Sequence, residues 1–345
     1  MRICIVNDTF LIGRGVDTVI YELASVLGKR HKVTVICGKG LCSYKPENFE
    51  IREVDISKAF TGSIKDILFP MRLLKLRKIL GKINCDVINL HHSTLFLGLI
   101  GMKNVIVTYH GSPPAYGLSK YPRTLVNLLG KISLRFAQKV ITISEYLKKE
   151  LIKFGVPKNR IILIPNGISR SFRPTWKDKN YMLFVGRLEK HKRIDQLIRL
   201  AKYIKFPLKI VGDGSERKKL EKLARKIGAP VIFIGQVERD KLIRLYQECS
   251  FFVSASRWEG FGLIFLEANA CGKPVIGYDL TAVREIIIDG YNGFLVKSFE
   301  ELKNRALELK ENIKLRRKMG RNGVKFSKNY NWERIGEIYE KSLRI

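Results

Sequence analysis

Apolar and polar residues follow one another along this chain in two recurring patterns, and the patterns take turns. Short apolar runs read as strands, and longer stretches with apolar positions every three or four residues read as helices. Strands are predicted at Arg2–Asn7, Lys32–Cys37, Ile51–Ile56, Val87–Leu90, Val105–Tyr109, Val140–Ile143 and Ile161–Ile164. Helices are predicted at Val16–Leu27, where Val19, Ile20, Leu23, Val26 and Leu27 share a face, and at Ile64–Ile83, Leu125–Ala137 and Tyr146–Phe154. The pattern breaks in the turn-rich connector from Asn166 to Pro174, then restarts. Strands at Tyr181–Val185, Leu208–Val211, Val231–Ile234, Phe251–Val253, Pro274–Tyr278 and Phe294–Val296 alternate with helices at Ile194–Ile204, Glu216–Ile227, Lys241–Glu248, Leu263–Ala270 and near Val283–Ile287. The turn Gly290-Tyr291-Asn292-Gly293 precedes the last of these strands. The tail from Glu300 to Leu343 is mostly helical and strongly charged. Such alternation predicts an α/β protein with parallel sheets and helices on both faces of each. The expected domains are 1–168, 169–327 and a terminal helix, 328–345.

Length and composition fit that plan. The chain has 345 residues, about two domains' worth, and 46% are hydrophobic, enough for sizeable cores. Apolar runs such as Leu95–Ile100 are far short of the roughly 18 residues that span a bilayer. Asp8 interrupts the N-terminus where a signal peptide would continue its apolar core, which predicts a cytoplasmic protein. The six cysteines show no metal-ligand spacing and are expected to be reduced, mostly buried thiols without a disulfide framework. Net charge is +32, and it is uneven. Met71–Val140 holds eleven Lys/Arg against one acid, whereas Phe251–Glu300 holds four against six, so the most site-like stretch is the least basic.

That stretch, FFVSASRWEGFGLIFLEANACGKPVI, runs from Phe251 to Ile276. A strand leads through Glu259-Gly260-Phe261-Gly262 into a helix carrying Glu267. A helix opened by a Gly-flanked turn gathers unpaired N–H groups and the positive dipole end, where a phosphate can sit. Two readings stay open: a phosphate site with two carboxylates for hydroxyls, and an ordinary strand–helix junction with one capping and one solvated acid. Gly186-Arg187 follows another strand, with Lys192 five residues beyond Arg187. Cations at strand C-termini of a doubly wound sheet suit a diphosphate, and a solvated basic loop is the plainer alternative. Gly13-Arg14-Gly15 follows the first strand, but Thr18 stands where a dinucleotide fingerprint needs its third glycine. His110 ends a strand before Gly111 and is placed to donate to a substrate hydroxyl or phosphate. His91 and His92 end the preceding strand, yet no spacing fits a metal.

These residues resemble a known family. EGFGLIFLE, with seven residues between Glu259 and Glu267, is similar to the paired-glutamate motif of retaining glycosyltransferases of family four, which have the GT-B fold. GRLEKHKRID resembles that family's diphosphate-binding segment, and IPNGI, VGDG, FIGQV, GKPVIGYD and WERI resemble further segments in the family's order. The resemblance covers most of the chain and is strongest from Ile161 on. It implies two Rossmann-like doubly wound domains facing across a cleft, the first binding the acceptor and the second the sugar nucleotide, with the last helix crossing back to the first. It implies that Arg187 and Lys192 hold the diphosphate with backbone N–H groups near Gly260, Phe261, Gly262 and Leu263. Glu267 would take the ribose hydroxyls, Glu259 the hydroxyls of the transferred sugar, and main chain near Val237 the base. Gly15 and His110 would lie near the reacting centre. It further implies catalysis without a metal or cofactor, from a UDP- or GDP-linked hexose-type donor to a hydroxyl acceptor, a glycan or a lipid-linked one. The sequence departs from the family at Arg14, where a second glycine is common, and at Arg193, where many members have glycine.

Phe69–Ile83, FPMRLLKLRKILGKI, mixes Leu/Ile with Lys/Arg at helical spacing, and Leu118–Lys139 does so less tidily. Two readings stand: a peripheral surface for the anionic inner face of the cell membrane, and a core-packing helix with a solvated basic face. Net charge alone would allow a nucleic-acid-binding protein, but no aromatic-interleaved basic motif appears and no nucleic-acid partner is expected. The nearer rival is a sugar-nucleotide epimerase or hydrolase on the same fold.

Overall fold

The structure, a computed structural model, describes residues 1–12, 14–54, 69–91, 96, 98–111 and 130–344. Gly13, His92, the end of the Ile51–Ile56 strand, the start of the Ile64–Ile83 helix, the start of the Leu125–Ala137 helix and the first part of the Leu118–Lys139 segment lie outside them. The chain divides into two compact units, residues 1–167 together with the segment from Trp332 on, and Ile168–Asn331.

The first unit runs β1 (Arg2–Val6), α1 (Gly15–Leu27), β2 (Lys32–Gly38), β3 (Glu50–Val54), α2 (Phe69–Lys82), β4 (Val87–Leu90), β5 (Val105–Tyr109), β6 (Lys139–Thr142), α3 (Glu145–Lys153) and β7 (Ile161–Leu163). All seven strands are parallel, in the order β3-β2-β1-β4-β5-β6-β7. Every residue of β4 and β5 is buried, which is why they read as unbroken apolar runs rather than alternating ones.

The second unit runs β8 (Met182–Val185), α4 (Ile194–Ile204), β9 (Leu208–Val211), α5 (Arg217–Ile227), β10 (Val231–Gly235), α6 (Arg239–Glu248), β11 (Phe251–Ser254), α7 (Leu263–Ala270), β12 (Val275–Tyr278), α8 (Val283–Ile286), β13 (Gly293–Val296), α9 (Phe299–Glu311) and α10 (Ile313–Ser327). Its six parallel strands lie in the order β10-β9-β8-β11-β12-β13. Helix α11 (Trp332–Ser342) belongs to the first unit and packs on α1. Its Tyr339 hydroxyl is buried between Thr108 Oγ1 of β5 and Asn89 Nδ2 of β4, the latter at 3.4 Å. Thr108 in turn donates to Asn89 Oδ1 at 2.8 Å, so the helix is pinned to the sheet by a closed polar cluster.

Each sheet reverses its strand order once, between β1 and β4 and between β8 and β11. In doubly wound sheets the crevice beyond the strand C-termini at such a reversal is where ligands bind. Both sheets bring sequence-distant junctions side by side at that point.

One expectation is corrected. Cys4 of β1 and Cys85 are joined in a disulfide, with Cα atoms 6.0 Å apart. Pairing of β1 with β4 brings the segment just before β4 alongside β1, and there Cys85 reaches Cys4 although 81 residues separate them in sequence. Spacing alone carries no trace of that. The other four cysteines are free; Cys37, Cys249 and Cys271 are buried. Burial pushes the Cys37 and Cys249 thiols up to about 12, so they behave as small apolar groups.

Candidate active site

In the second unit the reversal lies between the ends of β8 and β11. Gly186 follows β8 and its amide donates to Val211 O at 3.0 Å, while Gly212 donates to Gly235 O at 2.8 Å. Gly212 has φ +118, and a Cβ there would sit 2.2 Å from Gly186 O. Only glycine lets the two strand ends approach this closely. Beyond Gly186, a short 3₁₀ turn over Lys190–Lys192 leads to Arg193, which caps α4 in the left-handed conformation, φ 49 and ψ 42.

Beyond β11 the chain passes Ser256, whose hydroxyl donates to Trp258 O at 2.9 Å, and reaches Glu259. The Glu259 amide donates to Thr281 Oγ1 at 3.1 Å. Thr281 has φ 55, a strained setting for a β-branched residue, and strain of this kind gathers at functional sites. Gly262 then turns into the left-handed region, φ 92, and opens α7. The amides of Leu263 and Ile264 thus stand in the first turn of α7, where no intrahelical acceptor exists. Phe261 is buried with its ring 5.9 Å from that of Tyr330.

Two links join these junctions. The Arg257 amide donates to His191 O at 2.9 Å, and Lys192 Nζ donates to Glu259 Oε1 at 2.7 Å. Both side chains of that ion pair are largely buried, 13% and 12% exposed. His191 lies behind them with its Nδ1 3.3 Å from Glu189 Oε2, and burial, then the Lys192 charge, holds its imidazole below the usual range. Arg187 is different: its side chain is 67% exposed and pairs with Glu189 at 2.7 Å. Two cations thus follow β8, one exposed and one largely buried, and the buried one is in salt-bridge contact with a carboxylate of the loop that leads into α7.

Glu267 is buried in α7 and accepts a hydrogen bond from the Tyr246 hydroxyl at 2.8 Å. Burial and then Glu267 push that phenol well above its usual range, so it stays a donor. Val237 follows β10, the edge strand two places from β8, about 10 Å away at the usual strand spacing. Asn269 of α7 and Asn292 of the turn before β13 are buried and bonded at 2.7 Å, and Asn292 also donates to Ile286 O at 2.9 Å. They fix α7 against the turn before β13. Of these supports, nothing in the sequence pattern marks Tyr246, Thr281 or Asn269, and Asn292 reads only as part of a turn.

In the first unit the reversal brings together the start of α1 and the ends of β4 and β5. Gly15 opens α1, and a Cβ there would meet nothing within 4 Å. Buried Asp17 accepts from Asn7 Nδ2 at 2.8 Å, Thr9 Oγ1 at 2.9 Å and the Leu11 amide at 2.8 Å, shaping the loop after β1. Burial raises its carboxyl above the usual range despite those donors. His91 follows β4 and His110 follows β5; His91 Nδ1 and His110 Nε2 are 2.8 Å apart. Among the described residues no cluster of three His, Cys, Asp or Glu is placed to hold a metal ion.

Known proteins resemble this chain in sequence and in fold. A model of the glycosyl transferases group 1 matches residues 169–326, and one of glycosyltransferase family 4 matches residues 13–172. The chain is 38% identical over 212 residues to the uncharacterized glycosyltransferase MJ1178 of Methanocaldococcus jannaschii, covering 59% of this chain and 60% of that protein. It is 30% identical over 267 residues to MJ1069 of the same organism, also an uncharacterized glycosyltransferase, covering 69% and 67%. Among solved structures, HepE of Anabaena in complex with UDP and glucose superposes with a TM-score of 0.78 at 20% identity, over 99% of each chain.

Proposed function

The chain belongs to the glycosyltransferases of family 4 and has their GT-B fold, and from that premise we propose a retaining transfer of a hexose-type sugar from a nucleoside-diphosphate sugar to a hydroxyl acceptor. The observation that carries the reading is the Lys192–Glu259 pair at the β8/β11 reversal, where each charge answers the other. A diphosphate entering beside the α7 N-terminus offers Lys192 a second anion, joined by the Arg187 guanidinium. Glu259 then turns its carboxylate to the sugar hydroxyls, and Glu267, oriented by Tyr246, takes the ribose. As the glycosidic bond breaks, negative charge gathers on the leaving diphosphate. Fixed cations and N–H groups stabilise it there without a metal. Val237, at the sheet edge, is spaced to meet the base. HepE was solved with UDP, which favours a UDP-linked donor here.

The test is thermal shift with UDP- and GDP-linked sugars, followed by product analysis with labelled donor. A ligand that binds only the folded protein raises its melting temperature. UDP-sugars should raise it and the label should move to an acceptor with its anomeric configuration kept. Label released as free sugar or as an isomerised nucleotide, with no acceptor product, would favour the hydrolase or epimerase reading.

The acceptor we propose is a glycan or lipid-linked one, met at an anionic membrane surface. On α2, Leu76 and Leu80 face the core, while Leu74, 66% exposed, stands outward with Lys75, Arg77 and Lys78. An exposed leucine among cations suits the headgroup boundary. Among the described residues no helix is long and apolar enough to cross a membrane. Equal co-sedimentation with anionic and neutral vesicles at low salt would remove the membrane from the proposal.

A further inference from the structure

His91 and His110 meet at the strand reversal of the first unit, and what each nitrogen carries follows from their surroundings. His91 Nδ1 lies 2.8 Å from His110 Nε2, with the rings stacked at 5.0 Å and 27°. A contact of that length needs one proton between the two nitrogens. His91 is 4% exposed, and its Nε2 is buried with no hydrogen-bond partner among the described residues. Burial, and then His110, hold the His91 imidazole well below its usual range, so it is neutral and has one N–H to place.

Two placements exist. If His110 donates, the His91 proton must sit on Nε2, leaving a buried N–H with no acceptor at a penalty of about 1–3 kcal/mol. If His91 donates, Nε2 is a bare lone pair in the same wall. Buried acceptors without partners are tolerated more often than buried donors without them. We infer that His91 carries its proton on Nδ1 and donates it to His110 Nε2, which fixes His110 as the Nδ1–H tautomer. The His110 Nε2 lone pair is then occupied. With Nε2 accepting, the ring proton that His110 carries is on Nδ1. His91 is therefore a positioning residue: it sets which edge of His110 donates. The assignment of a role to His91 rests on the reading of His110 as a residue near the reacting centre; the tautomer itself does not.

The chain has five histidines, few enough for long-range proton–nitrogen correlation on histidine-labelled protein, with His91→Asn and His110→Ala spectra for assignment. The expected pattern is a protonated Nδ1 in both His91 and His110. A His91 proton on Nε2 overturns the inference. Kinetics test the role. In His91→Asn the amide nitrogen takes the Nδ1 place, whereas His91→Leu removes the donor. We expect His91→Leu to lower kcat by about tenfold or more with KM little changed, and His91→Asn to recover most of that loss. Equal losses in the two variants, with equal melting temperatures, would remove His91 as the positioning residue. Unchanged transfer in His110→Ala would instead sink the role of His110 alone and leave the tautomer standing.

Discussion

At the β8/β11 reversal the second unit presents a lysine and a glutamate 2.7 Å apart, with an arginine exposed beside them. At the β1/β4 reversal the first unit presents two imidazoles 2.8 Å apart and an aspartate already holding three donors of its own loop. The backbone plan is the same: parallel sheet, one reversal, a junction on each side of it. The chemistry is opposite. An ion pair can exchange partners, because a ligand that brings one charge of each kind, or an anion and a row of hydroxyls, replaces both halves. A pair of imidazoles bonded to each other does not trade in that way, but it can fix where a proton points. Shared architecture therefore says where a ligand sits, and the side chains at each reversal say what it must be.

The sharpest way to break that contrast is to neutralise one acid in each unit. Glu259→Gln keeps the shape of the side chain and removes its charge; we expect kcat/KM for transfer to fall by roughly 100- to 1,000-fold, the scale of losing one well-placed electrostatic group. Asp17→Asn should act on the fold instead. One of its oxygens becomes a donor facing donors, and stability should drop by about 1–3 kcal/mol while folded protein keeps most of its turnover. Steady-state kinetics and urea unfolding on both variants decide it. Near-normal turnover in Glu259→Gln, or a catalytic collapse of well-folded Asp17→Asn, would reverse the assignment.

Much of this contrast is legible in the amino-acid sequence, and the part that is not has a common cause. Strand runs such as Val105–Tyr109 and the helical face of Val16–Leu27 are local patterns, and they match β5 and α1 to within a residue. Arg187, Lys192 and Glu259 stand out because each follows a strand, and strand ends converge in this fold. What the sequence hides depends on pairs far apart along the chain. Tyr246 reaches Glu267 across 21 residues, and nothing about an isolated tyrosine in a helix announces it. Cys4 meets Cys85 only because β1 and β4 are neighbours. Thr281 adopts a positive φ that its side chain disfavours, so propensity points away from it.

A smaller effect probes a feature that the two regions share. Each keeps a buried histidine neutral: His91, by burial and then His110, and His191, by burial and then Lys192. Both folded-state values lie below the ordinary 6.5. The unfolded chain therefore binds more protons than the folded one just below pH 6.5. The stability these groups contribute is present above the unfolded value and is lost as pH falls towards the folded ones, at up to about 1.4 kcal/mol per pH unit for each proton. Urea midpoints between pH 8 and pH 5 should fall on the acid side. His91→Asn and His191→Asn should each flatten part of that slope. A slope unchanged in both variants would show that other groups carry it.

The smallest difference lies in the loops that follow the first strand of each sheet. In the first unit Arg14 caps α1 from an extended backbone, φ −102 and ψ 128, at no conformational penalty. In the second, Arg193 caps α4 from the left-handed region, where a side chain costs about 1–2 kcal/mol. Its guanidinium lies 5.0 Å from the Tyr278 ring centre, a contact that offsets about 0.5–1 kcal/mol of this. The turn that presents Lys192 thus holds an arginine, not a glycine, in the left-handed position. Arg193→Gly should relieve the strain, lose the ring contact and loosen the unfolded chain, so the three effects nearly cancel and stability should change by less than about 1 kcal/mol. Arg193→Ala keeps the strain and loses the ring, and should be the less stable of the two by about 0.5–1 kcal/mol. Urea unfolding of the pair is the measurement. If alanine matched glycine, the left-handed turn would be carrying no strain, and the contrast with Arg14 would be one of geometry without energy.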